Sequence, residues 1–458
     1  MGVTAELSEF AAGLKIDAAP PEVVSRARLL LLDLIGNIIR GHETESTAPV
    51  RSALGALGLA RGASRVFGDS RTYAPAGAAL LQGVLAHSLD FDDTHAPATL
   101  HPGAPVIPAA FAAAEMTNAS GATVLAAIIA GYEVICRLAL ALPAGDHYQR
   151  GFHPTATCGA FGAAAAAARV FGLEAAGVAS ALGIALSQSA GSLQFLQNGA
   201  WTKRFQVGWS AMAGLTAATL AREGFKGAGD AVEGTHGFLR AYAPTPSPAR
   251  VTQDLGAVYE LMATGVKPYP SCRYGHAGID AALAMRVEHT LQPQEISQVV
   301  YGLSKAGMLL VGAPREKKAD PRNIVDGQFS APFVLSVALA TGEMRWDSYQ
   351  LLHDPRIRTL LPKIRCEHDP EIEAEFPANM SGRLTLHARG QVFMKKVIVP
   401  RGEPGNFLSA DELSAKFADL AQPALCAVRT AELAAAILDI DRLDRASRLF
   451  DLGAADPR

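Results

Sequence analysis

Two hydrophobic rhythms divide this chain. Over most of the first 265 residues the apolar positions recur at helical spacing. In "PPEVVSRARLLLLDLIGNIIRG", Val23, Ala27, Leu30, Leu31, Leu34, Ile35 and Ile38 share one face of a 3.6-residue repeat. Pro21 sits at an N1 position that needs no amide hydrogen, and Gly41 stops the run. The segments "APAGAALLQGVLAH", "TCGAFGAAAAAARVFG", "EAAGVASALGIALSQSAGS" and "RFQVGWSAMAGLTAATLAREGF" predict further helices. Their alanines and glycines let helices approach closely and bury on all sides. They form no internal repeat.

After Gly265 the period shortens. "EISQVVYGLSK", "GRLTLHA" and "QVFMKKVIVP" alternate as strands do, the last two joined through Arg389 and Gly390. "GHAGIDAALAMRVEH" and "GQFSAPFVLSVALATG" read as helices between them. Near the end "SADELSAKFADLAQ" restores helix, with Ser409 and Glu412 spaced as a capping box. The expected architecture is mainly α. A large all-helical domain is built from both chain ends, residues 1–265 and 402–458, with a smaller α+β domain inserted at 266–401.

Composition narrows the function. Hydrophobic residues make up 49% and charged ones 19%, a balance that suits many multiply buried helices and an oligomer interface and argues against disorder. The formal net charge of -3, without blocks of Lys or Arg, argues against nucleic acid or an anionic membrane as a partner, since both are bound through concentrated positive charge. Cys136, Cys158, Cys272, Cys366 and Cys426 are odd in number and lack CxxC spacing, which fits a reducing cytosol and offers no zinc or iron–sulfur cage. The N-terminal "MGVTAELSEFAAGL" lacks the basic and apolar regions of an export signal, so a cytoplasmic location is expected. The most apolar span, "ATVLAAIIAGYEVICRLALAL", carries Glu133 and Arg137 near its middle, as a core helix would and a membrane span would not.

One stretch concentrates charge. "HSLDFDDTHAPATLHPG", residues 87–103, sets three aspartates and three histidines behind an apolar helix. A magnesium-binding DDxxD motif is a poor match, because Asp92 and Asp93 are followed by Thr94, His95 and Ala96. His87, His95 and His101 lie eight and six residues apart, unlike the two-ligand spacing of a metal helix, although a loop can still gather them. A plain alternative is a helix end capped by residues 90–94.

This stretch, followed by "GFHPTATCGAFGAA", "NGAWTKRFQVGWSAMAG" and "VKPYPSCRYGHAGIDAA", resembles the MmgE/PrpD family in the family's order over nearly the whole chain. The resemblance implies a helical domain with a lid-like α+β insertion, a homodimer, and chemistry that uses no metal or organic cofactor. It implies that Asp90, His101, His153 and Lys203 are catalytic, and that Thr94, Lys267, Cys272, Arg273 and Tyr274 bind substrate.

The residue types suit that implication. Removing a proton beside a carboxylate places more negative charge where charge already exists, so cations such as Lys203, Lys267 and Arg273 are needed to neutralise it. Imidazoles titrate near neutral pH and can take or give the proton, which suits His101 and His153. Asp90 would orient one of them, and Thr94 would hydrogen-bond a substrate oxygen. Such a pocket attracts a small anionic polycarboxylate.

Each assignment has an ordinary alternative. His153 before Pro154 can cap the following helix, Lys267 before Pro-Tyr-Pro can be a solvated loop charge, and Cys272 can be an inert thiol. Decarboxylase members of the family carry tyrosine where Phe333 stands and tend to have histidine at Cys272. The expectation is therefore a hydro-lyase rather than a decarboxylase, acting on a small di- or tricarboxylate. An epimerase pairing Cys272 with His101 or Lys203, and a non-catalytic carboxylate-binding protein, are the alternatives.

Overall fold

The structure, a computed structural model, describes residues 2–455. Helix accounts for 59% of it and strand for 9%, which is the mainly α class expected. The chain forms two compact units, Met1–Gly265 with Ser409–Arg458, and Val266–Leu408.

In the first unit the Pro154–Val170 helix is central. Every residue in it except Arg169 is buried, and it packs on helices Gly103–Thr117, Gly121–Leu140, Ala175–Leu186 and Thr202–Arg222. Small residues make this possible. A Cβ added at Gly208 would collide with the Leu80 carbonyl oxygen, so helices Pro75–Ala86 and Thr202–Arg222 touch backbone to backbone. The helix expected from "EAAGVASALGIALSQSAGS" ends at Leu186, and the Ser-Gln-Ser-Ala-Gly remainder becomes a loop that approaches the site described below.

Gly121–Leu140 is, among the described residues, the one helix long and apolar enough to cross a membrane by length and composition, and most of it is buried inside this unit. The charges at its middle are paired: Arg137 Nε donates to Glu133 at 2.9 Å. The guanidinium also donates to the carbonyls of Gln253 at 2.7 Å and Val258 at 2.6 Å, while Leu261 N donates to Glu133 at 3.0 Å. Buried backbone groups must find partners, and one ion pair supplies them here for the irregular stretch 253–261.

The returning helix Ala410–Ala421 opens with the expected box, Ser409 Oγ accepting from Glu412 N at 3.2 Å and the Glu412 carboxylate accepting from Ser409 N at 2.8 Å. It packs on Pro21–Gly41, where half-buried Lys416 reaches buried Asp33 at 2.6 Å.

The second unit carries a four-stranded sheet in the order Ile364–His368, Ile296–Leu303, Gly382–Ala388, Gln391–Val397. The first pair is parallel and the others antiparallel. Arg389 (φ 55°) and Gly390 (φ 72°) both take the left-handed conformation that a two-residue hairpin turn demands. Helices His276–Glu288 and Ala331–Thr341 pack together, the former also on the sheet. Strand Ile364–His368 has no apolar alternation to announce it, since only Ile364 is buried. Residues 402–408 remain with this unit, tied by Val266 N donating to Gly402 O at 2.9 Å.

Replacing Arg137 with Met should leave the Glu133 carboxylate uncompensated in the core, at a cost of about 3–5 kcal/mol. A urea midpoint unchanged from wild type would refute this account of the pair.

Candidate active site

Residues 87–103 are almost entirely buried, which a capping loop on the surface would not be. The turn at 90–93 is held by a separate partner for each aspartate. Asp90, at φ 51°, occupies the left-handed region that Asp tolerates better than most residues. Its carboxylate accepts from Lys203 Nζ at 2.7 Å. Asp92 accepts from His87 Nδ1 at 2.7 Å, with both side chains wholly buried. Asp93 accepts from Tyr132 Oη at 2.6 Å and from Gly103 N at 3.2 Å. Burial pushes the Asp93 carboxyl up to about 8, with nearby Asp92 and Asp33 adding to the rise and the two hydrogen bonds opposing it.

His101 lies across this turn. Its Nδ1 is 2.7 Å from the Asp93 carbonyl oxygen, 3.4 Å from Thr94 Oγ1 and 3.6 Å from Asp92 Oδ2. A carbonyl can only accept, so Nδ1 carries the hydrogen, and in the neutral ring the lone pair sits on Nε2. The His101 and His87 rings meet edge to face at 4.8 Å, and the His153 ring stacks on His87 at 6.1 Å.

His153 is the N-cap residue of the Pro154–Val170 helix, yet its side chain makes no capping bond. Its Nδ1 instead meets Gln206 Oε1 at 3.0 Å. Burial holds the imidazole well below its ordinary range, and the neighbouring His87 and Lys203 lower it further, so His153 is neutral at pH 7.

The expected residues of the first unit, Asp90, Thr94, His101, His153 and Lys203, therefore stand in one network. The detail differs from expectation at Asp90, which meets Lys203, while the carboxylate reaching the imidazoles belongs to Asp92. His95 is a structural residue: Nε2 is 3.1 Å from Glu260, Nδ1 accepts from Ala98 N at 3.0 Å, and its backbone pairs with Thr264.

His87, Asp92 and His101 bring ligand-type atoms within 4.8 Å of one another, a grouping of metal-ligand residue types. The two Nδ1 atoms face the Asp92 carboxylate and the Asp93 carbonyl as donors, which in the neutral rings leaves the lone pairs on Nε2.

The second unit holds the other expected residues. Lys267 is buried at 2% exposure, so it is no solvated loop charge. Cys272 is buried and precedes the short turn Arg273–Gly275, its N–H donating to Gln328 O at 2.9 Å. Arg273 is paired with Glu403, and burial brings its guanidinium down to about 10. The Tyr274 carbonyl accepts from Tyr301 Oη at 2.7 Å. Phe333 is fully buried and stacks on Tyr349 at 5.7 Å, a core position.

Sequence reading missed Asp92 as the partner of His87, and it missed Gln206. A signal for Gln206 was present, because it lies three residues beyond Lys203 and shares its face of the helix.

Among known proteins, similar chains include the cis-aconitate decarboxylase-like protein oryM of Aspergillus oryzae, 28% identical over 98% of this chain and 97% of that protein. The cis-aconitate decarboxylase of Aspergillus terreus is 28% identical over 98% and 96%, and that of Mus musculus 26% identical over 98% and 93%. The class they define is an enzyme of the lyase type. The MmgE/PrpD N-terminal domain matches residues 5–250 and the MmgE/PrpD C-terminal domain residues 269–441, and the chain belongs to the MmgE/PrpD family.

The raised Asp93 pKa has a stability consequence. The folded state holds this proton more tightly than an unfolded chain, whose Asp titrates near 3.8. Its contribution is complete below about pH 4 and is lost as pH rises toward about 8. Wild type should lose stability relative to Asp93→Asn over that window, by up to about 1.4 kcal/mol per pH unit. Parallel pH profiles of the two urea midpoints would contradict it.

Proposed function

We propose that this protein is a lyase that eliminates water from a small di- or tricarboxylate by proton transfer beside a carboxylate. The observation that carries this reading is the opposed surroundings of two imidazoles in one network. His153 is kept neutral and is a proton acceptor. His101 lies 3.6 Å from the Asp92 carboxylate, and in this reading it is the proton donor. Elimination of water needs both: a base to take the hydrogen from the carbon next to the carboxylate, and an acid to protonate the departing hydroxyl. The C–H electrons become the new double bond as the C–O bond breaks, and charge gathering on the substrate carboxylate is neutralised by the Lys203 ammonium.

Loss of carbon dioxide is the second reading, favoured by the decarboxylase names of the relatives. In that reaction the C–C bond breaks, its electron pair spreads onto the neighbouring unsaturated carboxylate, and His101 delivers a proton to carbon. Against it stands Phe333, where decarboxylase members of the family carry tyrosine. Nothing observed favours the epimerase or the non-catalytic binding protein. The remaining part of the proposal is a homodimer working in the cytoplasm.

Chelator-treated protein incubated in deuterated buffer with citrate, 2-methylcitrate and cis-aconitate decides between leaving groups by proton NMR. A new alkene from a hydroxy acid, without carbon dioxide, is the expected result. Carbon dioxide released from cis-aconitate with deuterium entering the product would replace it with the second reading. For the active substrate, His153→Ala and Lys203→Ala should each lower kcat at least about a hundredfold. Near-unchanged turnover in both variants would dismiss this site.

A further inference from the structure

We propose that Gln206 is a positioning residue, which fixes the nitrogen that His153 offers to the reaction by holding the other one as an N–H. The proposal rests on the reading of His153 as a proton acceptor and extends it to a residue outside the expected site.

The argument begins at a backbone carbonyl. Gln206 Nε2 donates to Ser192 O at 2.8 Å, and since a carbonyl only accepts, the orientation of the amide is decided at that end. Oε1 therefore faces His153. An amide oxygen also only accepts, so His153 Nδ1 at 3.0 Å must carry the hydrogen. The lone pair is left on Nε2. Three hydrogen-bonding groups in series thus convert the position of one loop carbonyl into the tautomer of one imidazole.

The surroundings hold this chain in place. The His153 amide donates to Gly191 O at 3.2 Å, tying the same loop to the histidine from its other side. Gly191 has no room for a side chain: an added Cβ would lie 2.5 Å from Ala156 Cβ, 3.3 Å from Gln206 Oε1 and 3.4 Å from His153 Cβ. Ser210 Oγ shares its one hydrogen between the Gln206 carbonyl at 3.0 Å and that of Ala156 at 2.9 Å, joining the helices that carry Gln206 and His153. The Phe195 ring meets the imidazole edge to face at 5.6 Å.

A neutral amide at this position has an electrostatic consequence. The charged or titratable groups acting on His153 are His87 from the end of helix Pro75–Ala86, Asp92 from the buried turn and Lys203 from helix Thr202–Arg222. His87 has a carboxylate on its Nδ1, whereas His153 has a neutral amide, whose pull toward the cation is outweighed by burial and by the neighbouring His87 and Lys203. Glutamate at 206 would give up the bond to Ser192 O but set a charged acceptor on Nδ1, which tightens the hold of His153 on a second proton.

The test is nitrogen NMR of histidine side chains in wild type, Gln206→Leu and Gln206→Glu, with the His153 signals identified by their loss in His153→Ala. Wild type should show a neutral His153 with hydrogen on Nδ1 at pH 7. Gln206→Leu should show a mixture of tautomers, and Gln206→Glu should titrate at higher pH than wild type. A wild-type hydrogen on Nε2, or spectra and titration unchanged in both variants, would overturn the proposal whether or not a substrate is known. With an active substrate, Gln206→Leu should lower kcat about tenfold or more with little change in KM, the scale of a misplaced acid–base group. In Gln206→Glu the acid limb of kcat/KM should move to higher pH, because protonated His153 accepts nothing. If the spectra behave as expected and both variants turn over as wild type does, Gln206 sets the tautomer but His153 is not the proton acceptor, and it is the reading under Proposed function that fails.

Discussion

Everything in the helical unit's site depends on burying three aspartates within four residues without leaving them to repel one another. Mutual repulsion and desolvation would together unfold such a turn if all three carboxylates were ionised and unpartnered. The structure gives each a different remedy. Asp90 has an ammonium, Asp92 an imidazole, and Asp93 a phenol, an amide and a raised affinity for its own proton. These three remedies bring Lys203, His87 and Tyr132 from three separate helices to one turn. The network therefore exists only where these helices are packed together.

The far end of the chain takes part in that packing. Lys416, on the returning helix Ala410–Ala421, bonds to Asp33 at 2.6 Å and to the Phe91 carbonyl at 2.9 Å, with its ammonium 3.6 Å from the centre of the Phe91 ring. Asn37 donates to the same carbonyl at 3.3 Å. The chain leaves the helical unit at Gly265 and returns at Ser409, and the returning part buttresses the turn that bears Asp90 and Asp92. A cation, a ring and a carboxylate packed in low dielectric make this support stiff in a way a surface pair is not.

The chemistry follows from unequal surroundings of equal groups. His87, His101 and His153 are identical in type and adjacent in space, yet one is bound to a carboxylate, one lies between a carbonyl and a carboxylate, and one faces an amide. Under the proposed function, such differences would make an acid–base pair from two copies of one residue.

What the sequence determined by itself is the set of elements whose physical cause is local. The periodic helix Pro21–Gly41, the capping box at Ser409, the Arg389-Gly390 hairpin and the core character of Gly121–Leu140 all rest on neighbours within a few positions. The mainly α class and the family follow from them and from the motifs. Only the tertiary structure decided the partners. Asp90 meets Lys203 across 113 positions and His153 meets Gln206 across 53, distances over which spacing carries no information. Strand Ile364–His368 was hidden for the same reason, since it pairs with the distant strand Ile296–Leu303 and its own pattern is polar. The full burial of Phe333 was likewise invisible in the sequence, because burial is a property of the packed unit rather than of the residue type.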